Sequence, residues 1–287
     1  MKDLSASRPS GLSRRGMLGV ASAAVGLWAE GRIRRAWGGS PRQLRTDDPD
    51  LLSPFERLHF PVLQLPIVTA NGAKVPVVVE MIHPMEPDHY ITSVHLVNDR
   101  DPVPSKGQFQ FTPANGQVHL SFQVRLDHGI SVVMATADCN QHGRWTSTRP
   151  INIPEGAGGC AGSAPPPGRP RGPEIDPPVI RIPQLVKYGR VRPDEIIDVQ
   201  LKIRHPNRTG LVYRDGKFIQ ESEPFYLQDL QAYYSGERVS RFAMTSALSD
   251  DPFITFKLRA RSEGSLRIVL ANNRGQRFEV THEIRFS

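Results

Sequence analysis

The stretch "QVHLSFQVRL", residues 117–126, alternates apolar and polar side chains without a break. A period of two puts every second residue on one face, so this is a half-buried β-strand. Asn115-Gly116 just before it is a hairpin-type turn. Around it lie further short strands: the valine-rich Val75–Ile82, then Tyr90–Val97, then Ile130–Ala137, with Asn71-Gly72 as another turn. A short helix near Pro54–Leu58 is the one helical candidate in this half. Residues 179–286 repeat the style, with strands at Ile196–Ile203, Phe225–Tyr234, Phe253–Ala260, Leu266–Leu270 and Arg277–Phe286. "SFQVRL…GISVVMATADCNQHGRW" lies about 134 residues ahead of the similar "TFKLRA…GSLRIVLANNRGQRF", and each half carries a His-Pro after an early strand, His83-Pro84 and His205-Pro206. Two similar strand-rich units of about 100 residues predict an all-β protein of two immunoglobulin-like β-sandwiches.

Composition agrees. The chain has 287 residues, 38% hydrophobic, with 26 prolines and 24 glycines, which favours many short elements joined by turns. Two cysteines, Cys139 and Cys160, give no disulfide framework. The formal charge is +7, but seven basic and two acidic residues lie before Gly39, so the remainder carries only +2 and does not form a nucleic-acid footprint. That basic N-terminus reads as an address. Arg14-Arg15 precedes the apolar run Met17–Ala29, which is too short to span a bilayer, and Arg32, Arg34 and Arg35 follow it. The layout is that of a twin-arginine signal peptide over residues 1–38, with cleavage after Gly38 or at Ala29 and export to a bacterial periplasm.

Between the halves lies "GAGGCAGSAPPPGRPRGPEIDPP", residues 156–178. Glycine and proline fill it, so it reads as an arm and linker between a unit at 47–155 and a unit at 179–287. The part after Cys160 extends to roughly 50 Å. Cys160 sits among Gly158, Gly159, Ala161 and Gly162, where no core packing is expected. A thiol on a thin, mobile arm suits entry into a partner's active site, and the thiolate is its nucleophile. Glu155 and Arg169 are the nearest acid and base in sequence. The expectation is an exposed Cys160 on an arm that loops out from a compact pair of sandwiches.

The first half resembles SoxY, the thiol-bearing subunit of the sulfur-oxidation carrier, through "ANGAKVPVVVE", "MIHPMEPDHYITSVHLVND", "FTPANGQVHLSFQVRL" and "GGCAG". The second half resembles its partner SoxZ through "DEIIDVQLKIRHPNRTGL", "FYLQDLQAYYSGERV" and "DDPFITFKLRA". The resemblance implies a SoxYZ fusion that catalyses nothing itself. It implies that Cys160 carries thiosulfate-derived intermediates, with Gly158, Gly159 and Gly162 as the arm glycines. It implies partners as well: a c-type cytochrome (SoxAX-like) that couples the substrate on, a manganese hydrolase (SoxB-like) that releases sulfate, and a molybdenum–haem sulfane dehydrogenase (SoxCD-like). Three features depart from the family pattern. Ala161 replaces one glycine of Gly-Gly-Cys-Gly-Gly, and the arm is tethered at both ends; "HPNRTG" also lacks the methionine and acid usual after His-Pro. Similar fusions accompany quinoprotein (PQQ) alcohol dehydrogenases, an alternative setting for the same chain.

Other residue groups read more simply. Cys139 is a turn residue at a strand end, with a Cys139–Cys160 disulfide as the sharper alternative. Seven of nine histidines lie between His59 and His142; His83, Met85, His89 and His95 suggest copper, but no His-x-His pattern appears, and they read as surface or turn residues with no metal or cofactor implied. His83 and His205 are expected to cap strand ends. Asp47, Asp48, Asp50 and Glu56 read as a solvated start, and Asp250-Asp251 as a turn. No nucleophile-elbow motif is present.

Overall fold

In a computed structural model, residues 42–43, 48–161 and 175–286 are described. The expected signal segment, Asp47 and Gly162 lie outside them. The first half supplies β1 (Arg42–Gln43), α1 (Pro54–His59), β2 (Val62–Gln64), β3 (Val75–Met81) and β4 (Ile91–Asn98). It continues with β5 (Ser105–Gln110), β6 (Val118–Val124), β7 (Gly129–Cys139) and β8 (Gly143–Ile153). The second half supplies β9 (Asp176–Arg181), α2 (Pro183–Tyr188), β10 (Glu195–Arg204), β11 (Leu211–Arg214) and β12 (Lys217–Gln220). It ends with β13 (Leu227–Tyr234), β14 (Glu237–Met244), β15 (Phe253–Ala260), β16 (Gly264–Asn272) and β17 (Arg277–Ile284).

The alternation read in residues 117–126 holds: β6 buries Val118, Leu120, Phe122 and Val124 and leaves the residues between them half-exposed. The all-β expectation holds too, but the halves are more intimately joined than a packed pair. One sheet runs β1-β8-β7-β4-β5-β14-β13-β16-β17 and the other β2-β3-β6-β15-β10-β9. Both sheets cross from one half to the other. At the seam, β5 pairs antiparallel with β14 from Gly107↔Met244 to Gln110↔Arg241, and β6 meets β15 at Ser121↔Thr255 and Leu120↔Phe256. Pairing edge to edge removes one exposed edge from each sheet of each half.

The seam has its own core. The Phe109 and Phe122 rings lie 4.9 Å apart, Phe109 and Phe242 5.4 Å, and Phe242 and Phe256 5.5 Å, all four buried. Such pairs add about 0.5–1.5 kcal/mol each beyond area burial. Asn115 is buried and donates from Nδ2 to Ser240 Oγ and to the Lys257 carbonyl, both at 2.8 Å, so its amide is satisfied across the seam. The strands missed in the sequence include β5 and β14, one of the two strand pairs that make this seam. The proposed linker is also shorter than expected, because Asp176–Arg181 joins the second sheet beside β10.

Candidate functional site: a cysteine docked at the seam

The chain leaves β8 and turns back over the end of the first half. Gly72 N–H donates to the Ala157 carbonyl, Leu126 N–H to the Gly72 carbonyl and Gly159 N–H to the Leu126 carbonyl, each at 2.8 Å. Three backbone segments are thereby interlaced at close quarters. A Cβ on Gly159 would lie 2.1 Å from the Gly72 carbonyl oxygen and 2.2 Å from the Ala73 nitrogen, and one on Gly158 2.5 Å from Asp127 Oδ1. The two glycines therefore allow close approach to the protein's own backbone; in the sequence reading they kept the arm thin for a partner's channel.

Cys160 is fully buried. This overturns the expectation of an exposed thiol, for a physical reason: the glycines bring the arm so near the body that the next residue falls into the cleft. The Cys160 carbonyl accepts from Thr209 Oγ1 at 2.7 Å, a contact from the second half. Arg125 donates from Nη1 to the Gly159 carbonyl at 3.0 Å and from Nη2 to the Asn207 carbonyl at 2.9 Å, and it pairs with Asp250 at 3.0 Å. The arm is thus held by both halves at once.

Beneath it lies a buried ion pair. Lys106 Nζ donates to Asp101 Oδ2 at 2.5 Å, to the Val103 carbonyl at 2.8 Å and to the Arg125 carbonyl at 3.0 Å, so all three of its protons have acceptors. Asp101 Oδ1 accepts from the Asp127 N–H at 2.9 Å. Burial pushes the Cys160 thiol up to about 12; Asp101 and Asp127 add to the rise, and Lys106 and Arg125 oppose it. Docked, the sulfur is a neutral thiol with little nucleophilicity. Among the described residues the charged groups around it are therefore Asp101, Lys106, Arg125 and Asp127, and the sequence neighbour Glu155 is not one of them; Arg169 lies outside the described residues. Of these groups only Arg125 carries a hint in the sequence, as the last polar residue of the opening strand.

The remaining candidates fall elsewhere. Cys139 ends β7, whereas Cys160 sits beside Asp127 at its head, so the 11-residue strand separates the thiols by roughly 30 Å and no disulfide can join them. His95 bonds Ser105 Oγ at 3.1 Å and Met85 is a core residue. His205 is buried and bonds Asn207 Oδ1 at 3.1 Å. Glu56 closes a capping box with Ser53 at the start of α1. Asp250 and Asp251 both work: their carboxylates accept from the Asn207 and His205 N–H groups. His83 and His89 are not surface or turn residues acting singly. They converge with His59, His142 and Cys139 at the far end of the first half, and burial pushes His83 down to about 4.

Comparison with known proteins fits this division of the chain. Residues 59–160 match the family model described as Sulfur oxidation protein SoxY, and residues 186–283 that described as Sulphur oxidation protein SoxZ. The first match ends on Cys160. No curated protein matches the chain. Among solved structures, a candidate superoxide reductase from Thermotoga maritima aligns at 27% identity over 36% of this chain and 92% of its own, with a TM-score of 0.31. A superoxide reductase (neelaredoxin) variant from Ignicoccus hospitalis aligns at 22% over 37% and 91%, with a TM-score of 0.30. One from Archaeoglobus fulgidus aligns at 20% over 36% and 95%, also with a TM-score of 0.30. Superpositions this loose carry no functional inference. With one family model matched in each half of a single chain, this protein belongs to the sulfur-oxidation carriers as a SoxY–SoxZ fusion.

Proposed function

We propose that the protein is a periplasmic covalent carrier that holds thiosulfate-derived intermediates on Cys160, and that the docked arm is its resting state. The observation that carries the reading is the glycine-flanked Cys160, the last residue of the SoxY match, held in the cleft by hydrogen bonds at backbone atoms. Loading follows Cys160–SH + S2O3²⁻ → Cys160–S–S–SO3⁻ + H⁺ + 2e⁻, with a c-type cytochrome as the electron acceptor. Water then cleaves the S–SO3 bond on a manganese hydrolase, which releases sulfate and leaves a persulfide on the arm for a sulfane dehydrogenase.

The chain's own residues serve the cycle by hiding and showing the sulfur. Docked, the thiol is buried and neutral, which protects it from stray oxidation. Undocked, it regains an ordinary thiol's acidity and can ionise against a partner. Residues 161–175 tether the arm to the second half, so the sulfur presents as a bend. Intact-mass analysis of protein isolated from cells oxidising thiosulfate tests this. Thiosulfonate or persulfide adducts on wild type and none on Cys160→Ala are expected; an unmodified Cys160 under those conditions overturns it. Export follows the N-terminal reading: replacing Arg14 and Arg15 by lysine is expected to leave the uncleaved precursor in the cytoplasm, and normal export of that variant would remove the twin-arginine assignment.

A further inference from the structure

Five side chains from three separate segments converge at the end of the first half. His59 closes α1, His83 and His89 lie on the loop between β3 and β4, and Cys139 and His142 flank the turn between β7 and β8. His59 Nε2 is 3.0 Å from His142 Nδ1, and His89 Nε2 is 3.1 Å from the same atom. Cys139 Sγ lies 3.8 Å from it and accepts the His142 N–H at 3.4 Å. The donor atoms of His59, His89, Cys139 and His142 all fall within 4.8 Å of one another. His83 completes the ring, its centroid 4.4 Å from that of His89 and 4.9 Å from that of His59.

Proton counting argues against a purely hydrogen-bonded cluster. His59 Nδ1 is 2.8 Å from the Phe55 carbonyl and His83 Nδ1 2.5 Å from the Pro84 carbonyl. A carbonyl only accepts, so in both neutral rings the proton sits on Nδ1 and the Nε2 lone pair faces inward. One His142 Nδ1 then meets two other ring nitrogens, and a single ring nitrogen holds either one proton or one lone pair. It cannot bridge both contacts well. His83 Nε2 is buried, on a residue 5% exposed, with no hydrogen-bond partner among the described residues. A buried polar atom without a partner is unfavourable. One cation at the focus satisfies all of these lone pairs.

We propose that His59, His83, His89, His142 and Cys139 bind a single divalent first-row transition metal ion. Zinc–nitrogen and zinc–sulfur bonds are about 2.0–2.3 Å, so donors on opposite sides of one ion stand roughly 4.0–4.6 Å apart. The donors of His59, His89, Cys139 and His142, within 4.8 Å of one another, close onto an ion with shifts of a few tenths of an ångström. Imidazole and thiolate suit iron, cobalt, nickel, copper or zinc, and the lack of any carboxylate among the five donors disfavours magnesium and calcium. Carbonyls behind His59 and His83 fix ring orientation as outer partners of metal-bound imidazoles do. Trp145 stacks on His59 at 4.7 Å and Phe55 packs edge-on against it at 5.7 Å, which walls the site on one side; His89 and His142 are only partly buried and leave the other side open to an entering ion. Binding ionises the Cys139 thiol and releases one proton per ion. The site lies at the opposite end of β7 from Cys160 and uses the other cysteine, so it is separate from the carrier function.

Cobalt(II) is the probe. The full-length mature chain carrying Cys160→Ala is stripped with chelator and titrated anaerobically. One equivalent is expected to bind, with a near-ultraviolet thiolate-to-cobalt charge-transfer band. Cys139→Ser is expected to lose that band while keeping visible d–d absorption, and His83→Gln or His142→Gln to weaken binding at least tenfold. Far-ultraviolet circular dichroism on each variant confirms that it is folded; if one is not, titration of the Cys160→Ala parent against a competing chelator, with proton release measured in parallel, reads the same site. No charge-transfer band in the folded parent, or binding unchanged by Cys139→Ser and His142→Gln, overturns the proposal.

Discussion

If the arm rests in its cleft, alkylation of Cys160 should be slow. Docking raises the thiol from an ordinary 9.0 to about 12. At pH 7.5 that difference lowers the thiolate fraction about a thousandfold. The sign is fixed by the shift. The docked state holds its proton more tightly, so docking is at full strength below about pH 9 and weakens as pH rises toward 12. Reaction must then proceed through the opened arm, and the rate is the free-thiol rate multiplied by the open fraction. Thr209→Val removes the hydrogen bond to the Cys160 carbonyl. At about 1 kcal/mol for one such bond, the open fraction rises roughly fivefold. The assay is iodoacetamide labelling at pH 7.5, quantified at the Cys160 peptide by mass spectrometry, with the guanidinium-unfolded chain as reference. Native Cys160 is expected to label at least a hundredfold more slowly than the reference, and Thr209→Val several-fold faster than wild type. Labelling of the native protein within tenfold of the unfolded chain, with no response to Thr209→Val, would refute the docked arm.

The glycines give a sharper contrast: Gly159→Ala meets backbone that cannot yield and should release the arm, bringing labelling close to the free-thiol rate, whereas Gly158→Ala meets the Asp127 carboxylate, which can swing aside, and should give a smaller increase. Lys106→Met leaves Asp101 buried without its counter-charge and should cost about 3–5 kcal/mol in urea unfolding, with much of it recovered in Lys106→Met/Asp101→Asn. A protease site engineered into residues 162–174, once cut, should leave the halves together in size-exclusion chromatography at micromolar concentration, because β5–β14, β6–β15 and the four-phenylalanine cluster join them; clean separation into soluble halves would contradict the seam.

The strands that alternate or run apolar were legible in the sequence, because periodicity reports burial on a face. β3, β6, β10, β13 and β15 fall within a residue or two of their expected places. β5 and β14 were not legible. Ser105–Gln110 hides a buried lysine at Lys106 and a left-handed-region glycine at Gly107, and neither resembles a strand until its ion-pair partner and neighbouring strand are in place. Cys160 was found as the special cysteine but set in the wrong environment. Glycine content by itself reads as looseness, whereas tertiary contacts use the missing Cβ atoms for close packing. The histidines were dispersed in sequence, and Cys139-x-x-His142 alone carries a metal-like spacing. Their meeting depends on how three separate segments are brought together, which no single window of sequence contains.

The seam also has a consequence during synthesis. β5 is complete at Gln110, but the strand that covers its edge ends at Met244, 134 residues later. At about 5–20 residues per second, a ribosome needs roughly 7–27 s to make that stretch. From the completion of β6 at Val124 onward, the nascent first half presents two open sheet edges and half of an aromatic core. Neighbouring nascent chains on one message carry the same surface, so the growing protein is most prone to pairing with its own copies just before its second half arrives.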